Sequence, residues 1–209
     1  MSKVLHISAS PRGERSASTT VARHFLDAYL AAHPGDTVET LDLWTANLPE
    51  FDGAALDAKY AILHGQPFTP EQAAAWTAIV SLAEQFKAAD KFVFSLPMWN
   101  FGIPYKLKQW IDLIAQPGLT FSFSPETGYT GLVTGKPAVA VYARGGAYGP
   151  GTGAEGYDAQ TTYFRQVLGF VGVTDLREIL VEPTLAGGEA KDAAVAVAKG
   201  RADEIAHTF

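Results

Sequence analysis

The sequence predicts a doubly wound α/β domain, with five parallel strands in the order 2-1-3-4-5 and helices on both faces of the sheet. Three observations carry this reading. Short apolar runs bounded by turn residues recur five times along the chain. Several of these runs are apolar on both faces, as strands are when helices cover each side of a parallel sheet. Between them lie helical patterns, and parallel neighbours need such crossovers, whose right-handedness puts helices on alternate faces as the winding reverses. At 209 residues and 47% hydrophobic content, a single domain over residues 1–209 is the expectation.

The first strand is expected at residues 4–7, followed by a helix at 19–32 with Val21, Phe25, Leu26 and Tyr29 at helical spacing and a Pro34-Gly35 stop. A second strand is expected at 38–43. Residues 48–69, rich in Pro, Ala and Asp, read as irregular. Thr69 then opens a helix over 70–87, with Gln72 three residues on to complete a capping box. The third strand falls at 92–96 and the next helix at 105–115. Residues 119–135 interrupt the alternation: Leu119, Phe121 and Phe123 alternate before a turn at 125–128, which predicts a small hairpin. The fourth strand at 138–143, a helix at 160–170, the fifth strand at 176–181 and a helix at 190–207 complete a βαβαβαβαβα series. Five strands so connected give a flavodoxin-like arrangement.

Composition excludes several classes of function. Sixteen Lys and Arg stand against 22 Asp and Glu, a formal charge of −6 without a basic run, so neither nucleic acid nor an anionic membrane is an expected partner. The chain has no cysteine, and its five histidines are scattered, so disulfides, thiolate sites and structural zinc are not expected. The apolar run near Met1 is too brief for a signal-peptide core, and no stretch approaches the roughly 20 residues of a membrane helix. A cytoplasmic protein is the expectation.

In an open sheet of this kind, ligands bind outside the carboxyl ends of the strands where the strand order reverses. The loop after the first strand, residues 8–20, is dense in hydroxyls and feeds directly into a helix, so its N–H groups and side chains suit a phosphate. The alternative is that Ser18 or Thr19 merely caps that helix. After the third strand, Pro97-Met98-Trp99-Asn100-Phe101 puts large apolar and aromatic side chains where a loop is normally polar, which suits a planar ring. Packing of Phe101 against a neighbouring helix is the competing reading. After the fourth strand, Arg144-Gly145-Gly146 lets the main chain approach a ligand and present N–H donors, although a plain glycine turn reads the same way. The Gly-x-Gly-x-x-Gly match at residues 151–156 follows its strand too late for a dinucleotide fingerprint and reads as a mobile loop near the pocket. No Gly-x-Ser-x-Gly elbow and no phosphate-binding Gly-Lys-[Ser/Thr] loop occur. His6 falls within the first strand and reads as a core histidine, and His207 as solvated.

Taken together, Ser10-Pro11-Arg12-Gly13 with Ser16-Ala17-Ser18, then Pro97-Met98-Trp99-Asn100-Phe101, then Arg144-Gly145-Gly146, resemble the FMN-dependent NADH azoreductase and quinone reductase family. Residues 107–112, 118–121, 131–136 and 168–173 extend the similarity over nearly the whole chain. The resemblance implies a homodimer with one non-covalent FMN per subunit near the interface, NADH or NADPH as co-substrate, and a quinone or azo compound as acceptor. It places Ser10, Ser16, Ala17 and Ser18 on phosphate-binding positions. Met98, Trp99, Asn100 and Phe101 fall on isoalloxazine-binding positions, and Ala143, Arg144, Gly145 and Gly146 on a second ring-contacting loop. Ala143 stands where the family commonly has serine, and Trp99 where it often has tyrosine.

On this reading the flavin carries the redox chemistry, no side-chain nucleophile is expected, and the two substrates use one face in turn in a ping-pong cycle. Phe121, Phe123 and Tyr129 on the hairpin are candidates to cover the acceptor from a partner subunit, or simply to pack a dimer. The alternative from another class is a flavodoxin-like electron carrier without a small-molecule substrate, which turnover of NADH with a quinone alone separates from the enzyme. A hydrolase using Ser10 as nucleophile is a further rival, but it lacks a visible base.

Overall fold

Each of the five apolar runs forms a strand, and all five pair in parallel. The computed structural model describes residues 1–209 and contains β1 (Lys3–Ser8), β2 (Thr37–Asp42), β3 (Lys91–Pro97), β6 (Ala138–Ala143) and β7 (Leu176–Val181) in one sheet ordered β2-β1-β3-β6-β7. With the hairpin strands β4 (Phe121–Ser124) and β5 (Gly128–Gly131) set aside, this is the predicted 2-1-3-4-5 order. The winding reverses between β1 and β3, so the loops after these two strands open side by side.

Alternation along the strands sends side chains to two cores. Leu5, Ile7, Phe92, Phe94, Ala140 and Tyr142 face one side, where they meet Phe86 of α3 (Pro70–Ala88), Trp110 of α4 (Tyr105–Ile114) and Phe164 of α5 (Ala159–Val171). Val4, Val93, Val139, Val141 and Ile179 face the other, against Val21 and Phe25 of α1 (Ala17–Ala32) and the alanines of α6 (Gly188–Ala206). Ala194, Ala198 and Ala202 recur every four residues, a smooth stripe that lets α6 lie close on α1.

The capping box predicted for α3 is present. Thr69 Oγ1 accepts from the Gln72 N–H at 3.2 Å, and Gln72 Oε1 accepts from the Thr69 N–H at 2.7 Å. The stretch 48–69, expected to be irregular, instead contains α2 (Gly53–Leu63), capped by Asp52, whose carboxylate accepts from the Ala55 N–H at 3.1 Å. Its buried stripe consists of Ala55, Ala58 and Ala61, while Leu56, Tyr60, Ile62 and Leu63 are exposed, so the helix carries almost no amphipathic contrast to read.

The hairpin forms with Phe123 opposite Tyr129 and Phe121 opposite Gly131. Gly131 lies against the end of α5, where an added Cβ would sit 2.3 Å from the Gly172 nitrogen, so only glycine fits there. The Val133 N–H donates to the Val171 carbonyl at 2.8 Å and fastens the base of the hairpin to the same helix end. No helix is long and apolar enough to cross a membrane.

Candidate cofactor cleft

The loops after β1, β3, β6 and β7 surround a cleft of about 220 Å³ at the carboxyl end of the sheet. One end is polar and cationic. Ser16, in extended backbone, caps α1: its Oγ accepts from the Thr19 N–H at 3.4 Å and lies 3.1 Å from the Ser18 hydroxyl. Ser10, Ser16 and Ser18 are all buried, yet Ser10 and Ser16 still line the cleft with Ala17. The cap is thus Ser16 and not Ser18 or Thr19, because α1 begins at Ala17, and since Ser16 also lines the cleft, capping and anion binding are not alternatives at this helix. Arg12, Arg15 and Lys191 are the charged residues of the lining, and no carboxylate joins them, although the chain as a whole is acidic. Hydroxyls, a helix N-terminus and three cations suit a dianionic phosphate.

The rest of the lining is mainly apolar or small. Pro97, Met98 and Trp99 form one wall, Ala143 and Gly145 another, and the Met98 N–H donates to the Ala143 carbonyl at 2.8 Å, which fixes their spacing. Asn100 and Phe101 have φ of 47° and 71°, left-handed conformations unusual for residues other than glycine. They form a tight turn closed by reciprocal Trp99 and Gly102 main-chain bonds, each 3.0 Å. Trp99 is held from behind by Trp44 and Tyr105, with ring centroids at 5.6 and 6.1 Å, and the Trp44 indole N–H donates to the Ala9 carbonyl at 3.0 Å. Trp44 thereby ties the β1 loop to the β3 loop.

Beyond Trp99 lies a second, larger cavity of about 570 Å³, lined by Trp99, Asn100, Ile103, Tyr105, Ala159 and Tyr163 among others. Trp99 is common to both spaces, so the cleft and the cavity adjoin.

Of the residues singled out in the sequence, Ser10, Ser16, Ala17, Met98, Trp99, Ala143 and Gly145 line the cleft. Ser18 supports it from beneath through Ser16. Asn100 lines the neighbouring cavity instead, and Phe101 packs on Tyr148 and Tyr157, with centroids at 6.4 and 5.1 Å. Gly146 lies against the Tyr148 ring. Arg144 does not send its side chain into the cleft: its guanidinium is 1% exposed and is surrounded by Asp158, Gln160 and Glu182, so toward a ligand it has only main chain to offer. The sequence reading missed Thr184 and Leu185 of the β7–α6 loop and Lys191 in the first turn of α6, which together supply a wall. That loop carries no aromatic signature; its Gly187-Gly188 pair and its place after the last strand of a doubly wound sheet were the signals that could have pointed to it.

A phosphate cradle joined to an apolar slot at the switch point of a parallel sheet defines a binder of an aromatic nucleotide cofactor. The residues present fit FMN in particular, since cations and buried hydroxyls stand at one end and Met98, Trp99 and glycine main chain at the other. A family model described as flavodoxin-like fold matches residues 2–206. An FMN-dependent NADH:quinone oxidoreductase of Nitratidesulfovibrio vulgaris strain DP4 is 56% identical over 188 residues, covering 90% of each chain. The crystal structure of an azoreductase from Bacillus anthracis strain Sterne superposes with a TM-score of 0.90 at 32% identity over 100% of both chains. An FMN-dependent NADH-azoreductase from Bacillus anthracis strain Ames Ancestor, solved in complex with FMN, gives a TM-score of 0.87 at 29% identity, covering 99% of this chain and 100% of that one. The chain belongs to this flavodoxin-like family of FMN-dependent NADH:quinone oxidoreductases and azoreductases.

Proposed function

We propose that this protein is an FMN-dependent oxidoreductase that passes reducing equivalents from NADH to quinones and azo compounds by a ping-pong cycle. The observation that carries the reading is the adjacency of two spaces at one sheet edge, a cationic cleft with an apolar wall and an apolar cavity, with Trp99 common to both. FMN held there would supply the two-electron redox chemistry between NADH and the acceptor.

The protein's part is to bind, orient and exclude water. Ser10, Ser16 and the N-terminus of α1, with Arg12, Arg15 and Lys191, hold the phosphate. Met98, Trp99, Gly145 and main chain near Ala143 grip the ring system, and Trp44 and Tyr105 keep Trp99 in place. Asn100, Ile103, Tyr105 and Tyr163 form the apolar cavity that takes a planar substrate. Nicotinamide and acceptor are both planar and compete for this one space, which is the reason for alternating occupancy. The titratable side chains of the linings are Tyr105, Lys108 and Tyr163 in the cavity and Arg12, Arg15 and Lys191 in the cleft.

The protein acts as a cytoplasmic homodimer in this reading. Phe121, Phe123, Tyr129 and Phe170 form a contiguous aromatic cluster on the hairpin and α5, with neighbouring centroids 4.7 to 5.9 Å apart. Phe123 and Tyr129 are 60% and 66% exposed, a face suited to a second copy and to roofing that copy's cavity. The test is kinetic and spectroscopic. Purified protein is expected to show flavin absorbance, and NADH oxidation at several fixed quinone concentrations is expected to give parallel reciprocal plots. Intersecting plots refute the alternating cycle, and a flavin-loaded protein without turnover points to an electron carrier.

A further inference from the structure

Arg144 follows directly on β6, at the point where the cleft wall begins, but its side chain runs the other way into the protein. Nε donates to Gln160 Oε1 at 3.2 Å, Nη1 donates to Glu182 Oε2 at 3.2 Å, and Nη2 lies 3.0 Å from Asp158 Oδ2. The guanidinium also lies over the Tyr142 ring, 5.6 Å from its centroid. A buried cation between two carboxylates stabilises the fold little in net terms, because desolvation offsets much of the Coulomb attraction, so its retention calls for a geometric reason.

The partners supply that reason. Asp158 caps α5: its carboxylate accepts from the Thr161 N–H at 2.9 Å and from the Thr161 hydroxyl at 2.6 Å. The helix it starts brings Ala159 and Tyr163 to the wall of the larger cavity. Glu182 directly follows β7 and accepts from the Tyr148 N–H at 3.3 Å, beyond the Gly145-Gly146 turn. Thr184, which lines the cleft, donates through N–H and Oγ1 to the Arg144 carbonyl at 2.9 and 2.8 Å. One residue therefore touches, by side chain or main chain, the β6 wall of the cleft, its β7–α6 wall and the start of the cavity's α5 wall.

We infer that Arg144 is a positioning residue whose buried ion cluster with Asp158 and Glu182 couples the shape of the cofactor cleft to the shape of the substrate cavity beside it. The inference rests on the oxidoreductase reading above. Arginine is the residue for this task because its planar fork reaches Asp158 and Gln160 at the start of α5 and Glu182 after β7 at once, which a lysine ammonium cannot do with the same geometry.

Two substitutions remove one charge each and keep the local hydrogen bonds. Asp158→Asn preserves a good helix cap, and Glu182→Gln preserves an acceptor for the Tyr148 N–H. Arg144→Lys keeps the charge and loses the fork. Arg201→Lys serves as control, since Arg201 is an exposed α6 residue paired with Glu204 at 2.8 Å and lines neither space. FMN dissociation constants, read by flavin fluorescence on rebinding, are expected to rise about tenfold in Asp158→Asn and Glu182→Gln, and quinone KM to rise with them while kcat changes less. Arg144→Lys and Asp158→Asn are expected to be non-additive in FMN affinity, as residues of one network are. Variants with lowered melting temperature but wild-type FMN affinity and KM overturn the inference, and so does a fall in FMN affinity with KM unmoved. If Arg144→Lys fails to fold, the two isosteric variants carry the test. Wild-type protein that takes up no FMN refutes the oxidoreductase reading itself, whereas wild-type constants in flavin-loaded variants refute this inference alone.

Discussion

His6 is the one histidine in the sheet, and its environment sets a measurable dependence of stability on pH. It is 3% exposed in the middle of β1, with Nε2 2.9 Å from the Ser95 hydroxyl of β3 and Nδ1 3.4 Å from the Thr40 hydroxyl of β2. Burial, followed by the nearby positive charge of Arg23, lowers its pKa from 6.5 to about 4. The folded protein thus holds His6 neutral through a range in which the unfolded chain protonates it. The unfolded state binds more protons between these two values, so the contribution of His6 to stability is fully present above about pH 6.5 and is lost as pH falls toward 4. Linkage with these two values gives a loss of about 2 kcal/mol at pH 5 and about 3 kcal/mol at pH 4, with a slope of about 1 kcal/mol per pH unit around pH 5. Urea unfolding at half-unit steps from pH 7 to pH 4.5 measures this slope, and His6→Gln isolates it, because the carboxylates that titrate in the same range are common to both proteins. The expected result is a shallower pH dependence in His6→Gln by about that amount. Equal slopes for the two proteins, or a His6 titration near 6.5 by NMR, would sink the argument.

Three further outcomes follow from the geometry. Lys191→Ala is expected to weaken FMN binding by about tenfold and riboflavin binding hardly at all, measured by fluorescence titration, since the cation serves the phosphate end; equal losses for both ligands would place Lys191 elsewhere. Phe123→Ser with Tyr129→Ser is expected to shift the protein from dimer to monomer in sedimentation and to raise acceptor KM, and an unchanged dimer with unchanged KM would remove the hairpin from the interface. Asn100→Gly is expected to raise the melting temperature slightly, relieving a left-handed conformation worth about 1 kcal/mol, while lowering turnover with quinone; gain in both would contradict the role given to the turn.

The sheet was readable because its three central strands, β1, β3 and β6, are buried on both faces, so five apolar runs with helices between them leave little choice of topology. The hairpin was readable from the alternation of Phe121 and Phe123 before a glycine turn. α2 was not, because its buried face is alanine and its exposed face carries leucine, isoleucine and tyrosine, which cancels the contrast that marks a surface helix. Its one local sign was Asp52 before an alanine-rich run. At the site, the β1 and β3 loops announced themselves through hydroxyl density and misplaced aromatics. The direction of the Arg144 side chain could not be read, because the carboxylates that claim it come from Asp158 and Glu182, 14 and 38 positions further on. Lys191 was hidden for the same reason: it reaches the cleft only because α6 packs beside α1, a contact between the two ends of the chain.

The Asn100-Phe101 turn shows how these levels meet. Two successive residues with side chains in left-handed conformation cost the fold of order 1 kcal/mol each or more, and glycine at either position would remove part of that strain. The chain keeps them, and the consequence is that three neighbouring side chains leave one short loop in different directions. Trp99 faces the cleft and the cavity, Asn100 faces the cavity, and Phe101 crosses to Tyr148 and Tyr157 on the loop after β6. An extended loop would alternate its side chains between two sides and bring Trp99 and Phe101 to the same one. The turn is held by the paired Trp99 and Gly102 bonds in front and by Trp44, itself fixed to Ala9, behind. Strain at this position therefore has an identifiable yield: a single loop, anchored to the β1 and β6 loops, supplies a wall to the cofactor cleft and a wall to the substrate cavity at once.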